Sequence, residues 1–212
     1  MNVEMETNSR NARGRGRPPL SDGVRQRLLS HARELLRSGE QEKLPIRQLA
    51  ASAGVSTGSF YKFFPDQHAL REALAMDVYA ELALILDRTL TQAAERSVLE
   101  RVMQMAVSYV DYVQANEKLW ANLLEFRRQY RDSNALAVEA ENALFGVLEA
   151  ELDKLEGVNE PELRADLARA LWASVHGITV QTVPNSFKED PKGDALEQMR
   201  LIIDAVITRY SS

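Results

Sequence analysis

Residues 46–70 read IRQLAASAGVSTGSFYKFFPDQHAL, and the fold turns on this stretch. Ile46, Leu49, Ala50 and Ala53 recur at helical spacing, so a short helix buries one face. Ala50 is small where a second helix has to come close. Gly54 stops the first helix, because glycine enters the left-handed conformation without a Cβ penalty. Val55 fills the angle, and Ser56 is a good N-cap for a second helix, predicted over 57–64. Phe60 and Phe64, four apart, face inward. Thr57, Gly58, Tyr61 and Lys62 occupy another arc and face out. A helix start with free N–H groups, a bare glycine, a phenol and an ammonium suits contact with phosphate and groove. The stretch therefore reads as a helix-turn-helix, followed by the helix that carries its signal away.

The run GVSTGSFYKFFPDQHAL resembles the TetR family of bacterial transcriptional regulators. The family pattern is close to Gly-Val-Ser-x-Gly-x-Leu/Phe-Tyr-x-His/Tyr-Phe-Pro-Ser/Asn-Lys-x-x-Leu. The detailed match covers about the first third of the chain, and the Phe-Tyr-x-x-Phe-Pro extension makes it more specific than a helix-turn-helix alone. The resemblance implies nine helices, three for DNA binding and six for regulation. It also implies a homodimer on double-stranded DNA and a small-molecule effector. Arg47, Ser56, Thr57, Gly58, Ser59, Tyr61, Lys62, Phe63 and Gln67 are the DNA-contact candidates in this stretch. Three positions depart from the pattern. Gln67 stands where the family has a phosphate-contacting lysine, Phe63 replaces His or Tyr, and Pro45 takes the place of a capping Thr or Ser.

Charge is unevenly spread. The net charge of the 212-residue chain is −5, unusual for a DNA binder. Residues 1–70 hold 11 Lys and Arg against 7 Asp and Glu, a net of +4, whereas residues 71–212 hold 15 against 24, a net of −9. The basic part is the part with the helix-turn-helix, so the acidic remainder hides it in the total. With no cysteine there are no disulfides and no thiolate metal sites, in keeping with a reducing cytoplasm. No apolar run is long enough to span a bilayer and no export signal is visible, so a cytoplasmic protein without a membrane partner is expected.

Along the chain, residues 1–20 lack apolar periodicity and read as a flexible basic arm. Within them, Arg13-Gly14-Arg15-Gly16-Arg17-Pro18 resembles the core of an AT-hook. Arg15 and Arg17 could lie in a narrow A·T minor groove, or the arm could act as plain charge. Residues 21–70 form the DNA-binding domain, with a first helix over about 22–38. Residues 71–212 form the ligand-binding and dimerisation domain. Asp66 caps a long fourth helix, and Ser97 with Glu100 makes a capping box for the fifth. Asn116, Ser133 and Asn159 are read as caps of the next three, with Gly157 closing the seventh. Residues 184–193 are expected as a loop and 195–210 as the last helix. No segment alternates with period two, so the fold class is all-α.

The last two helices carry more apolar positions than one inward stripe needs. A second copy of the same pair is the expected partner, with Val175, Ile202 and Val206 at the interface. An effector pocket is expected among the helices of the second domain, near Tyr109, Trp120, Phe126, Phe145, Trp172 and His176. Taken singly, each of these residues reads as core before it reads as a ligand contact. Catalysis finds no support: the three histidines lie on separate helices, and no nucleophile elbow, P-loop or dinucleotide fingerprint is present. No enzyme activity, cofactor or metal is expected. The reading is a dimeric repressor released from a palindromic operator by a small molecule. Its alternative is an architectural DNA-binding protein of the same fold without a ligand.

Overall fold

The computed structural model describes residues 20–39, 44–129, 135–182 and 190–211. Among these, nine α-helices and no strand occur. They are α1 Leu20–Ser38, α2 Ile46–Ser52, α3 Thr57–Phe60, α4 Gln67–Gln92, α5 Val98–Ala115, α6 Glu117–Gln129, α7 Ala135–Leu152, α8 Pro161–Thr182 and α9 Pro191–Tyr210.

Local signals account for most helix starts. The Asp66 carboxylate accepts from the Ala69 N–H at 2.8 Å and opens α4. Ser97 and Glu100 satisfy each other's backbone N–H groups, as a capping box requires. The C-termini of α1 and α2 both run into a glycine in the left-handed region, Gly39 at φ 69° and Gly54 at φ 74°. At Gly54 the motif is complete: Gly54 N–H reaches the Ala51 carbonyl at 3.0 Å and Val55 N–H reaches Ala50 at 2.9 Å.

Four expectations need correction. The recognition helix is helical only over Thr57–Phe60. Tighter bonds follow, with Lys62 N–H to Ser59 O at 3.2 Å and Phe63 N–H to Phe60 O at 2.9 Å. Phe64 N–H still reaches the Phe60 carbonyl at 3.1 Å, and the turn goes no further because Pro65 has no N–H to donate and holds Phe64 out of the α region. α7 ends at Leu152, not Gly157. Gly157 instead lets the chain pass against the end of α9, where a Cβ would lie 2.9 Å from the Tyr210 carbonyl oxygen. α8 begins at Pro161, and the Asn159 amide donates back to the Glu156 carbonyl rather than capping it. The last helix begins at Pro191, inside the expected loop. Asp190 caps it, accepting from Gly193 N–H at 2.8 Å, with proline in the first turn, where its missing N–H costs nothing. Asn116 ends α5 and lies directly before α6. Ser133 and the arm residues Arg15 and Arg17 lie outside the described residues.

One continuous apolar core runs from Leu28 in α1 to Ile207 in α9. α4 threads it: Leu70, Leu74, Val78, Leu82 and Leu86 are each buried, so this single helix packs against the helix-turn-helix at its start and the bundle at its end. α7 and α5 pack along α4, and α8 packs on α7 and α9.

Candidate nucleic-acid interface and regulatory core

Phe60 and Phe64, 0% and 2% exposed, anchor the turn of the helix-turn-helix with ring centroids 5.8 Å apart. Ser56 caps α3: its Oγ accepts from Ser59 N–H at 3.1 Å and lies 3.0 Å from the Ser59 hydroxyl. The two serines thus hold each other, and what α3 and the turn after it offer outward is Gly58, Tyr61 and Lys62, with Thr57 half-buried beside them. Tyr61 is 50% exposed although its ring meets Phe60 edge-on at 5.5 Å, so the phenol stands on a buried base. Arg47 is exposed at the start of α2. Two candidates have other work. Phe63 packs partly into the core. The Gln67 side-chain amide donates to the Leu44 carbonyl at 2.9 Å, tying α4 to the segment that enters α2.

Arginines on α1 hold this unit in place. Arg27 Nε donates to the Ala53 carbonyl at 3.1 Å, at the end of α2. The Arg25 guanidinium lies 5.3 Å from the Phe64 ring centroid. Arg33 joins α1 to the regulatory helices. It pairs with Glu81 and lies 3.6 Å from Asp77, both on α4, and donates to the Tyr112 hydroxyl of α5 at 3.2 Å. Tyr112 in turn donates to Glu81 at 2.9 Å. Burial, then the bond to Glu81, pushes the Tyr112 phenol well above its ordinary range, so it stays a neutral donor. Lys118 of α6 donates to the Ser38 carbonyl at 2.9 Å, at the C-terminus of α1, where a cation is favoured. Its stem lies over Gly39, whose missing Cβ makes room for it.

Behind this contact sits an aromatic cluster. Trp120 meets Tyr79, Tyr109 and Tyr112 edge-on, with centroids 5.8 to 6.2 Å away. Tyr109 OH is hydrogen-bonded to His176 Nδ1 at 2.6 Å, and burial pushes its phenol far up, so it too remains neutral. Trp172 stacks beside His176. On the far side of Tyr109 lies an apolar cavity of about 30 Å³, walled by α4, α5, α7, α8 and α9. The cavity brings together Tyr109, Phe145 and Trp172 of the expected ligand residues. Trp120 and His176 lie behind Tyr109, and Phe126 is elsewhere, 5.1 Å from the His68 ring near the start of α4.

Val175 also lines the cavity and is 8% exposed, so it faces its own chain rather than outward. Val206 packs partly against the core. The apolar side chains that α8 and α9 leave uncovered are Val180, Leu201 and Ile202, at 37%, 70% and 37% exposure. Among the described residues no group of three or more His, Asp or Glu could hold a metal, and no helix is long and apolar enough to cross a membrane.

Comparison with known proteins agrees with this layout. Residues 28–74 match the bacterial regulatory proteins of the tetR family, and residues 102–206 match the tetracyclin repressor-like C-terminal domain. No curated protein matches the chain. A protein with unknown function from Rhodococcus sp. RHA1 is similar in structure, with TM-score 0.71 and 25% identity over 89% of this chain and 96% of its own. A TetR transcriptional regulator from the same organism superposes with TM-score 0.68 at 20% identity, covering 88% of this chain and 97% of that one. A TetR family transcriptional regulator from Thermus thermophilus shares the fold at TM-score 0.55 and 17% identity, over 86% and 97%. The helix-turn-helix and the helical bundle thus each match their own part of one family, in one chain and in the family's order: this protein belongs to the TetR family of bacterial transcriptional regulators.

Proposed function

We propose that the protein is a cytoplasmic homodimeric repressor that reads a palindromic operator through α3 and leaves it when a small molecule enters the bundle. Residues 21–70 act as the DNA-binding unit and residues 71–212 as the regulatory one. The observation that carries this reading is α4. It is one unbroken helix from Gln67 to Gln92, tied to the helix-turn-helix by Gln67 and lining the cavity with Leu86. A molecule that enlarges the cavity moves Leu86 and with it the far end of α4. Because the DNA-competent dimer holds its recognition helices about 34–36 Å apart, a small tilt weakens both contacts together. The effector acts only if it binds the tilted state better than the DNA-competent one.

Tyr61 and Lys62 are the principal contacts, with Arg47, Thr57 and Gly58 beside them. Operator binding is expected to weaken steeply with salt, at a log–log slope of about −4 to −8 as phosphates are neutralised. Lys62→Ala should lower affinity by about 1–3 kcal/mol, with relaxed specificity at one position per half-site if it reads a base. Titration of labelled operator at several salt concentrations tests both. A flat salt dependence counts against DNA contact by the helix-turn-helix, and a Lys62→Ala protein that binds unchanged shows that Lys62 points to solvent.

The basic arm adds minor-groove contacts in this reading. Deleting residues 1–19 should leave thermal stability and dimerisation unchanged. It should weaken binding most on operators with A·T-rich flanks, where a narrow groove attracts arginine. Equal loss on G·C-rich flanks reduces the arm to nonspecific charge.

The size of the cavity favours a second reading. At about 30 Å³ it is far below the ~300–1,000 Å³ of usual ligand pockets. An architectural DNA-binding protein of this fold, without an effector, needs no more. Loose binding to many A·T-rich sites distinguishes it from an operator-specific repressor.

A further inference from the structure

The inner and outer sides of the seam between α4 and α7 are built differently. On the inner side, Leu86 of α4 and Leu144, Phe145 and Leu148 of α7 wall the cavity. Every residue around it is uncharged, and its one phenol, Tyr109, is already bonded to His176. On the outer side the same helices border a cleft of about 630 Å³. Its floor along α7 is small: Ala143, Gly146 and Ala150, with Val147. A Cβ placed at Gly146 would meet nothing within 4 Å. Positions 143, 146 and 147 face the cleft while 144, 145 and 148 face the cavity, so one helix thickness separates the two. Charge enters the cleft only at its rim, from Asp87 of α4 and from Arg101 and Glu151, which pair with each other. Glu151, 3% exposed, takes Arg101 at 2.6 Å and Lys154 at 2.5 Å.

We propose that cleft and cavity are two ends of one ligand path, and that its ligand is an uncharged, apolar molecule that passes between α4 and α7 and lodges against Tyr109, Phe145 and Trp172. This names the chemical class for the effector reading above and rests on it for its regulatory meaning. The chemistry follows from the walls. An apolar ligand gains from leaving water and needs no polar partner here. An ionised one would enter a cavity with no charge to pair it, which strongly disfavours its binding. Because the cavity is small, binding must spread the seam, and Leu86 puts α4 on the moving side.

Toluene, benzoate and benzylammonium share one ring and differ in charge, so they serve as probes of the full chain. Thermal unfolding is followed together with the fluorescence of Trp172, which lines the cavity and is one of two tryptophans. Toluene should raise the melting temperature saturably and change the emission. The two ions should bind weaker by about 100-fold or more, as an unpaired buried charge requires. Benzoate binding as well as toluene would overturn the proposal and point instead to the exposed Arg169, whose guanidinium lies 5.8 Å from the Phe145 ring centroid. Ala106→Leu, which fills the cavity, should abolish the toluene shift. Val175→Ile is the milder filling if that variant does not fold, and a folded variant that keeps the full shift overturns the site. Gly146→Leu, placed in open space, should slow toluene exchange in NMR line shapes several-fold at unchanged affinity, and unchanged rates overturn the path between α4 and α7. Operator affinity in the same samples separates the two readings. Toluene binding that leaves the operator held would count against effector release and leave the site standing. Release by benzoate without toluene binding would leave release standing and overturn the apolar site.

Discussion

Leu201→Glu should give a soluble monomer where the wild-type chain forms the proposed dimer. Leu201 is 70% exposed in the single chain, so a carboxylate there costs the protomer almost nothing. In a two-fold interface built from α8 and α9 the same charge arrives from both sides, near Ile202 and Val180, and neither finds a partner. Operator affinity should then fall by about 10²–10⁴-fold, because the second recognition helix is no longer tethered to the first. Weak, salt-sensitive binding to one half-site remains. Sedimentation reads the assembly and operator titration reads the affinity. A stable Leu201→Glu dimer puts the interface elsewhere, and a monomer with full operator affinity removes the need for two readers. Val206, partly packed into its own core, and Val175, in the cavity wall, are unsuited to this test. Charge at either would disturb the protomer itself.

Phe60→Ala should cost about 3–5 kcal/mol of stability, the range for truncating a fully buried aromatic ring. Phe60 is 0% exposed and joins the Phe64 and Tyr61 rings, so its loss opens a hole under the exposed Tyr61 and Lys62. A loss of that size is a large share of a typical folding free energy of about 5–15 kcal/mol. The helix-turn-helix should therefore loosen first, with operator binding lost while most helical signal, which comes from α4 to α9, persists. Tyr61→Phe is the matched control. It removes an exposed hydroxyl, should leave stability within about 0.5 kcal/mol, and should weaken only DNA binding. Denaturant unfolding and operator titration of both variants check this. A Phe60→Ala protein with wild-type stability contradicts the packing described for the turn.

What the sequence makes legible follows from how local each determinant is. Gly54, Ser56, Asp66 and the Ser97–Glu100 pair act within a turn of themselves, and each does in the structure what its residue type suggests. The Asp190-Pro191 start of α9 is equally local; the loop reading passes over a cap and a first-turn proline that were both in view. The phenylalanine spacing favours helix to Phe64, but α3 is helical only to Phe60 and tighter i→i−3 bonds carry the chain to Pro65, which cannot continue a helix. The roles of Arg25, Arg27 and Arg33 are not legible. Their partners, Phe64, Ala53 and the Glu81–Tyr112 pair, lie 26 to 79 positions away along the chain, and only the path of the fold brings them close. Nor could the sequence divide the apolar residues of α8 between the cavity, which takes Val175, and the outer face, which keeps Val180. A helix apolar on several sides says that it has more than one neighbour, without saying which side faces its own chain. Cavity size depends on how volumes interlock across five helices, at a scale no residue pattern records.

The central claim is that two α3 helices, related by a two-fold axis, read one DNA site. Sequencing the fragments of the host genome that the purified full-length protein retains at physiological salt tests it most directly. The account predicts a shared sequence of two inverted half-sites whose centres lie about 10–10.5 base pairs, or a multiple of that, apart. Retained fragments that share only A·T richness, with no inverted repeat, would contradict it.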